Sequence, residues 1–159
     1  MSEDARFEDG REAPLNIGAL DGEDLQIISA LAQDAVFPAS EMTWRSKEQR
    51  FAILLNRFRW EDAENAAKRA RAAERVQSVL LFENVLKVAS QGVDRSDANT
   101  ILSLLSVRFE PGEDGAGAVL LTLAGDGALR LDVEALEVSL KDVTRPYVAP
   151  SRQVPQHKL

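Results

Sequence analysis

Residues 41–60, EMTWRSKEQRFAILLNRFRW, limit the possible folds more than any other stretch of the chain. They hold no glycine or proline, and their apolar residues, mostly aromatic, leucine or isoleucine, fall in short runs. The pattern reads as a β-hairpin. A short strand carries Met42 and Trp44, a polar turn covers Ser46 to Gln49, and a long strand runs from Arg50 to Trp60. That long strand begins apolar on both faces and ends basic and aromatic. A lone hairpin is barely stable in water, so the rest of the chain must supply strands to pair with it.

Downstream segments do so. Residues 76–90, VQSVLLFENVLKVAS, read as a second hairpin, with Glu83-Asn84 as the turn because asparagine tolerates a left-handed backbone. Residues 100–110 form a long strand. Alternation sets Ile101, Ser103, Leu105, Val107 and Phe109 on one face and Leu102, Leu104 and Arg108 on the other. Pro111 to Gly117 is a glycine-rich turn, and 118–124 is the next strand. Asp126-Gly127 is a hairpin signal, since both residues accept positive φ. Leu129, Leu131 and Val133 then alternate with charged residues. Leu136, Val138 and Leu140 alternate in the opposite phase. A bulge at Glu134–Ala135 explains the reset; a helix with Val133, Leu136, Leu140 and Val143 on one face is the alternative.

Upstream, Asp21 is a candidate helix N-cap, with Asp24 three residues on. Leu25, Ile28, Leu31, Ala32 and Ala35 recur at helical spacing, with Ile27 on the flank of the apolar arc. Pro38 is expected to end this amphipathic helix at Val36–Phe37. Residues 61–75, EDAENAAKRARAAER, have helix propensity but no large apolar residue to bury, and so read as an exposed charged connector. Residues 1–13, acidic, and 145–159, rich in proline and glutamine, read as disordered tails around one globular domain over 14–144.

Composition narrows the function classes. The 159 residues suit a single domain able to bury a core without covalent staples. With no cysteine, disulfides, thiolate catalysis and cysteine-ligated metals are absent, which fits a reducing compartment. There is neither a secretory signal pattern nor an apolar run long enough to span a bilayer, so a cytoplasmic protein without membrane contact is expected. The net charge is −7, yet residues 45–75 hold nine Lys or Arg against five Asp or Glu. Nucleic-acid binding therefore stays open only through that segment.

Few residues carry an obvious chemistry. The single histidine, His157, sits in the C-terminal tail without a partner. No phosphate-binding glycine loop, dinucleotide fingerprint or nucleophile–base set is present. Asp94, Ser96, Asp97 and Asn99 offer oxygens at close spacing, and local hydrogen bonding accounts for them as well as a cation does. No catalytic residue, metal ligand or cofactor site is nominated. The constellation that stands out is Arg57, Phe58, Arg59 and Trp60, followed by Lys68, Arg69 and Arg71. As a contact surface, Arg57, Arg59, Trp60, Lys68, Arg69 and Arg71 would bind an anionic protein patch or single-stranded nucleic acid. Structurally, Phe58 and Trp60 are core, and Arg57 with Arg59 forms a solvated face that pairs with neighbouring acids. Trp44 packs on the same core or stacks on a ligand.

The runs LDGEDLQIISALAQDAVF, RFAILLNRFRWE, LLFENVLKVASQGVDR and ILSLLSVRFEPGE resemble an uncharacterised family of alphaproteobacterial proteins, catalogued as domain of unknown function number 2948. The resemblance covers roughly residues 14–144 and implies a bacterial cytoplasmic protein, with no activity or site residue to carry over. The expected fold is α+β: about seven mostly antiparallel strands in a bent sheet or partly closed barrel, pleckstrin-homology-like in strand count, with an N-terminal amphipathic helix. The expected function is a non-catalytic binding or scaffold module with a protein partner, a homodimer being compatible. RNA or single-stranded DNA binding through 57–75 and a carboxylate-only or metal-assisted enzyme are the alternatives.

Overall fold

A computed structural model describes residues 14–60, 74–94 and 96–148. Strand β1 (Asn16–Ala19) leads into the helix α1 (Gly22–Ala32). Strand β2 (Val36–Pro38) and one 3-10 turn (Ala39–Glu41) follow. Strands β3 (Met42–Arg45) and β4 (Arg50–Phe58) form the expected hairpin, pairing Met42 with Ile53 and Arg45 with Arg50. The remaining strands are β5 (Glu74–Phe82), β6 (Val85–Gln91), β7 (Ile101–Pro111), β8 (Gly117–Leu123), β9 (Ala128–Val133), β10 (Val138–Asp142) and β11 (Tyr147–Val148).

These eleven strands make one sheet in the order β1-β10-β5-β4-β2-β7-β8-β9-β6, with β3 beside β4 and β11 beside β5. Every pairing among the described residues is antiparallel. The class expected from sequence holds, a mostly antiparallel sheet with one helix, but the strands outnumber the expected seven. Among the described residues the barrel does not close, because β1 and β6 end the order without pairing with each other. No helix caps it after β10 among the described residues.

Strand β2 bridges two halves, pairing Val36 with Asn56 of β4 and with Ser103 of β7. The chain passes between the halves twice, at adjacent points. It leaves β5 through Glu83-Asn84, where Asn84 takes the left-handed φ of 59°. It returns from β9 to β10 through 134–137. The Glu83 N–H donates to the Glu137 carbonyl at 2.9 Å and the Glu134 N–H to the Asn84 carbonyl at 3.0 Å, so each crossing fixes the other. Two expectations change here. Residues 76–90 are two strands but not a hairpin, since β6 pairs with β9 and not with β5. The reset at Glu134–Ala135 is a crossing between halves, not a bulge within one strand, and Val138–Asp142 is strand, not helix.

Inner faces of both halves share one core. Phe51, Ile53 and Leu55 from β4, Leu80 and Phe82 from β5, Val119 and Leu121 from β8, and Leu131 from β9 are all at most 3% exposed. Each such side chain contributes about 1.5–3 kcal/mol relative to an exposed one. In β7 the register against β8 shifts between Leu104 and Ser106. The extra residue, Leu105, is turned outward, so Leu102 and Leu104 face inward before it and Val107 after it. The single alternating face expected for this strand is therefore split by a bulge, and Ile101 stays 65% exposed.

Helix α1 covers the core near β7 and β1 with Leu25, Ile28 and Ala32. Its N-cap is as expected: the Asp21 carboxylate accepts the Asp24 N–H at 2.8 Å. The helix stops at Ala32, earlier than Pro38 requires, because Asp34 takes a left-handed φ of 64° and starts the turn into β2. Ile27 lies outside the packed face at 56% exposure, and β1 precedes the helix, so it is not the chain's first element. Among the described residues no helix is long and apolar enough to cross a membrane.

The expected connector 61–75 lies outside the described residues up to 73; Glu74 and Arg75 already belong to β5. Likewise most of the two tails lies outside them, but Tyr147 and Val148 pair with Arg75 and Glu74. The Tyr147 hydroxyl donates to Asn56 Oδ1 at 2.5 Å.

Candidate functional site

The basic, aromatic end of β4 is the first place to look, and it is largely internal. Alternation along β4 puts Arg57 on the face of Phe51, Ile53 and Leu55, which points into the core. Its neighbours across β5 and β10 continue the same layer with Ser78 and Asp142. Arg57 is 0% exposed. Its Nε donates to Asp142 Oδ1 and Ser78 Oγ at 3.1 Å each, and its Nη2 to Asp142 Oδ2 at 3.0 Å. Its Nη1 donates to the Phe58 carbonyl at 3.1 Å. Asp142 also accepts the Ser78 hydroxyl at 2.6 Å and the Leu15 N–H at 2.9 Å. A charge this far from water persists only when paired and hydrogen-bonded, and here both conditions hold.

The pairing with neighbouring acids expected for Arg57 and Arg59 is present, with Asp142 and Glu74 as partners, but the face they occupy is buried and not solvated. Arg59 is 9% exposed, and its Nη1 donates to Glu74 Oε2 at 2.9 Å. Trp60 is half-buried; its ring lies 5.6 Å from that of Phe58, and its Nε1 donates to the Gln33 carbonyl at 2.8 Å, tying β4 to the helix end. Arg75 covers the other side of the group, 4.6 Å from the Phe58 ring centre. Of these residues Trp60 joins sheet to helix, and Arg59 pairs with Glu74 of β5. Lys68, Arg69 and Arg71 lie outside the described residues.

The loop after β6 uses its oxygens locally. Asp94 Oδ1 accepts both the Ser96 hydroxyl and the Ser96 N–H, which hold its carboxyl below the ordinary carboxylate value. Asp97 Oδ1 accepts the Asn99 N–H at 2.9 Å. No group of three or more His, Cys, Asp or Glu converges as a metal site among the described residues.

A different feature does have the shape of a site. Strands β3 and β6, which do not pair with each other among the described residues, flank a cleft of about 260 Å³. Met42 and Trp44 of β3 form one wall and Val88 and Ser90 of β6 the other. Phe51 and Leu129 lie in its floor, and Val93 and Ala98 border it. The ends are fixed by backbone hydrogen bonds: Val85 N–H to the Gln49 carbonyl at 2.8 Å, and Ser40 N–H to the Ala98 carbonyl at 2.9 Å. Trp44, expected in the core, is instead 37% exposed at the mouth of this cleft. Only the Trp44 signal pointed here from sequence; Val88 and Leu129 come to it from strands far along the chain.

A second hollow, of about 510 Å³, lies at the start of α1 beside Asp21, Glu23, Gln26 and Arg108. Asp21 is already engaged there as the helix cap.

Over the described residues, fold and cleft together define an antiparallel β domain with one α-helix and an apolar recess. The chain belongs to the family described as protein of unknown function DUF2948, whose model matches residues 15–157. No curated protein matches it, and no solved structure does.

Proposed function

We propose that this domain is a non-catalytic binding module, that its partner is a protein, and that the partner docks at the cleft between β3 and β6. One observation carries this: an apolar recess between β3 and β6, with a half-exposed tryptophan at its rim. Tryptophan is the residue type most enriched among those that dominate binding energy at protein interfaces. The contact surface thus moves from Arg57 and Arg59 to Trp44, Met42 and Val88. A cytoplasmic setting is part of the same reading, supported by the absence of cysteine.

Neither alternative gains a specific observation. An enzyme of the carboxylate-only kind needs convergent acids in an apolar pocket, and the cleft is lined by no Asp or Glu. Nucleic-acid binding through 57–75 loses Arg57 and Arg59 to internal ion pairs.

The test is affinity purification of the tagged full chain from native extract, washed at high salt. Wild type is compared with Trp44→Glu and with Lys68→Glu/Arg69→Glu/Arg71→Glu. A protein retained by wild type and by the triple variant, and lost with Trp44→Glu, is expected. Loss with the triple variant but not with Trp44→Glu, or nucleic acid eluting as salt rises, would overturn the proposal.

A further inference from the structure

The recess between β3 and β6 is a socket, not a channel. The Val85 N–H bond to the Gln49 carbonyl shuts one end and the Ser40 N–H bond to the Ala98 carbonyl the other, so no chain can run through it. Phe51 and Leu129 close its floor at 3% exposure each, while Met42, Val88 and Val93 are half-buried around its mouth. We infer, resting on the binding-module reading, that the protein partner seats one aromatic side chain in this socket, and that acidic residues stand beside it on the partner.

Size and lining select the anchor. Drug-sized ligands occupy pockets of about 300–1,000 Å³, and an apolar cavity of about 150 Å³ already holds a benzene ring. At about 260 Å³ the socket has room for one ring with the atoms that carry it, and not for a second ring. Among the described residues no Asp, Glu, Lys, Arg or His lines it, so a charged group inside would lose its water without gaining a counter-charge. Ser90 already has a partner. A ring suits these walls better than an aliphatic chain. Trp44 and Phe51 are register partners across β3 and β4, and place one ring in the wall and one in the floor. A third ring gains the offset or edge-to-face contacts that aromatic groups prefer, and the Met42 thioether adapts to a ring edge.

Charge at the mouth selects the flanks. The wall strands, MTWR and VLKVASQ, hold two cations and no acid. Those cations, Arg45 and Lys87, both stand toward the end shut by Val85 and Gln49. Both are exposed, and neither forms an ion pair among the described residues. The groups opposite them are engaged elsewhere: Arg50, opposite Arg45, is held by Glu83 at 2.8 Å, and Asp132, opposite Lys87, by Arg130 at 3.0 Å. In the adjoining turn Lys47 and Glu48 offset one another. Acidic residues beside the anchor therefore meet two open cations at this end, whereas lysines there are repelled.

The experiment titrates the full chain with a capped peptide, glycine–phenylalanine–glutamate–glutamate. Two counterparts replace its phenylalanine by alanine or its glutamates by lysines. Backbone amide NMR shifts read where and how tightly each binds, which suits a Kd on the order of 10⁻⁴ to 10⁻³ M for so small an anchor. Expected are shifts centred on Trp44, Val88 and Val93, and at least about tenfold weaker binding of the alanine peptide. The lysine peptide should bind about threefold more weakly at low salt, the gap narrowing as salt rises. In Arg45→Glu/Lys87→Glu, both residues being exposed, the lysine peptide should bind the tighter. Equal binding of the alanine peptide, or shifts centred elsewhere, overturns the aromatic anchor, and equal binding of the lysine peptide overturns the acidic flank. Three other occupants would each overturn the inference. Toluene binding more tightly than the peptide makes the occupant a free small molecule. A concentration-dependent dimer that Trp44→Glu dissolves makes it a second copy. Tighter binding of a free peptide of residues 1–13, which carry Phe7 beside Glu8 and Asp9, makes it this chain's own N-terminal segment. If no peptide binds while Trp44→Glu still loses a protein from extract, the anchor is wrong and the binding module stands; if Trp44→Glu loses nothing as well, both fall.

Discussion

Replacing Asp142 with asparagine leaves the Arg57 guanidinium inside the sheet without its counter-charge. In the native protein Asp142 accepts four hydrogen bonds, two from Arg57, one from Ser78 and one from the Leu15 backbone. Arg57 has no exposed surface through which water can compensate. Breaking a buried pair by removing one partner costs about 3–5 kcal/mol, most of it from the stranded charge. A protein of this size loses roughly 2–4 °C in melting temperature per kcal/mol, so Asp142→Asn should melt about 6–20 °C lower. The companion variant Arg57→Met/Ser78→Ala/Asp142→Leu removes the charges and the hydroxyl together. It should lie near wild type or above, because apolar replacement of a buried pair is often neutral or stabilising. Urea unfolding followed by far-UV circular dichroism, with calorimetry for the melting temperature, measures both. If Asp142→Asn loses less than about 1 kcal/mol, or if the apolar triple variant unfolds as readily as it does, the stranded charge is not what governs this region.

Two further outcomes follow from local geometry. A Cβ added at Gly117 would overlap the Glu110 carbonyl and lie 2.7 Å from the Phe109 ring, so Gly117→Ala should destabilise by about 1–3 kcal/mol of overpacking, read by urea unfolding. Asp94 is held low by Ser96, so its ionised form favours the folded loop above the unfolded carboxylate value; that contribution is lost as pH falls through the lower folded value. Ser96→Ala should raise the Asp94 titration midpoint toward the ordinary value in a carboxyl-detected NMR titration, and an unmoved midpoint would refute the attribution.

Reading the Arg57 cluster from sequence was possible in part. Phe51, Ile53 and Leu55 set an inward phase that Arg57 continues. Leu80 and Phe82 share a phase with Ser78, and Val138 and Leu140 share one with Asp142. Three polar residues each prolonging a buried phase are a recognisable sign. The sign is easily passed over, because charged residues are almost never fully buried unless paired. The pair in question spans 85 positions of sequence, and no local pattern connects its members. The hairpin turn at 124–127 shows a smaller miss of the same kind. Positive φ falls on Gly125 and Asp126, one residue earlier than Asp126-Gly127 suggests.

What the sequence determined by itself is the set of elements whose causes are local. These are the β3–β4 hairpin, the Asp21 cap, the left-handed turn at Asn84 and the alternating strands β8 and β9. Each rests on side chains within a few residues of one another. Tertiary structure decided which half of the sheet each strand joins. It sent β5 and β6 to different neighbours although two residues separate them, drew Arg57 into the core, and brought β3 and β6 to the two sides of one cleft. Those outcomes depend on partners 21 to 127 positions apart, where the energy lies in side chains meeting across the fold and not in any property of the segments alone.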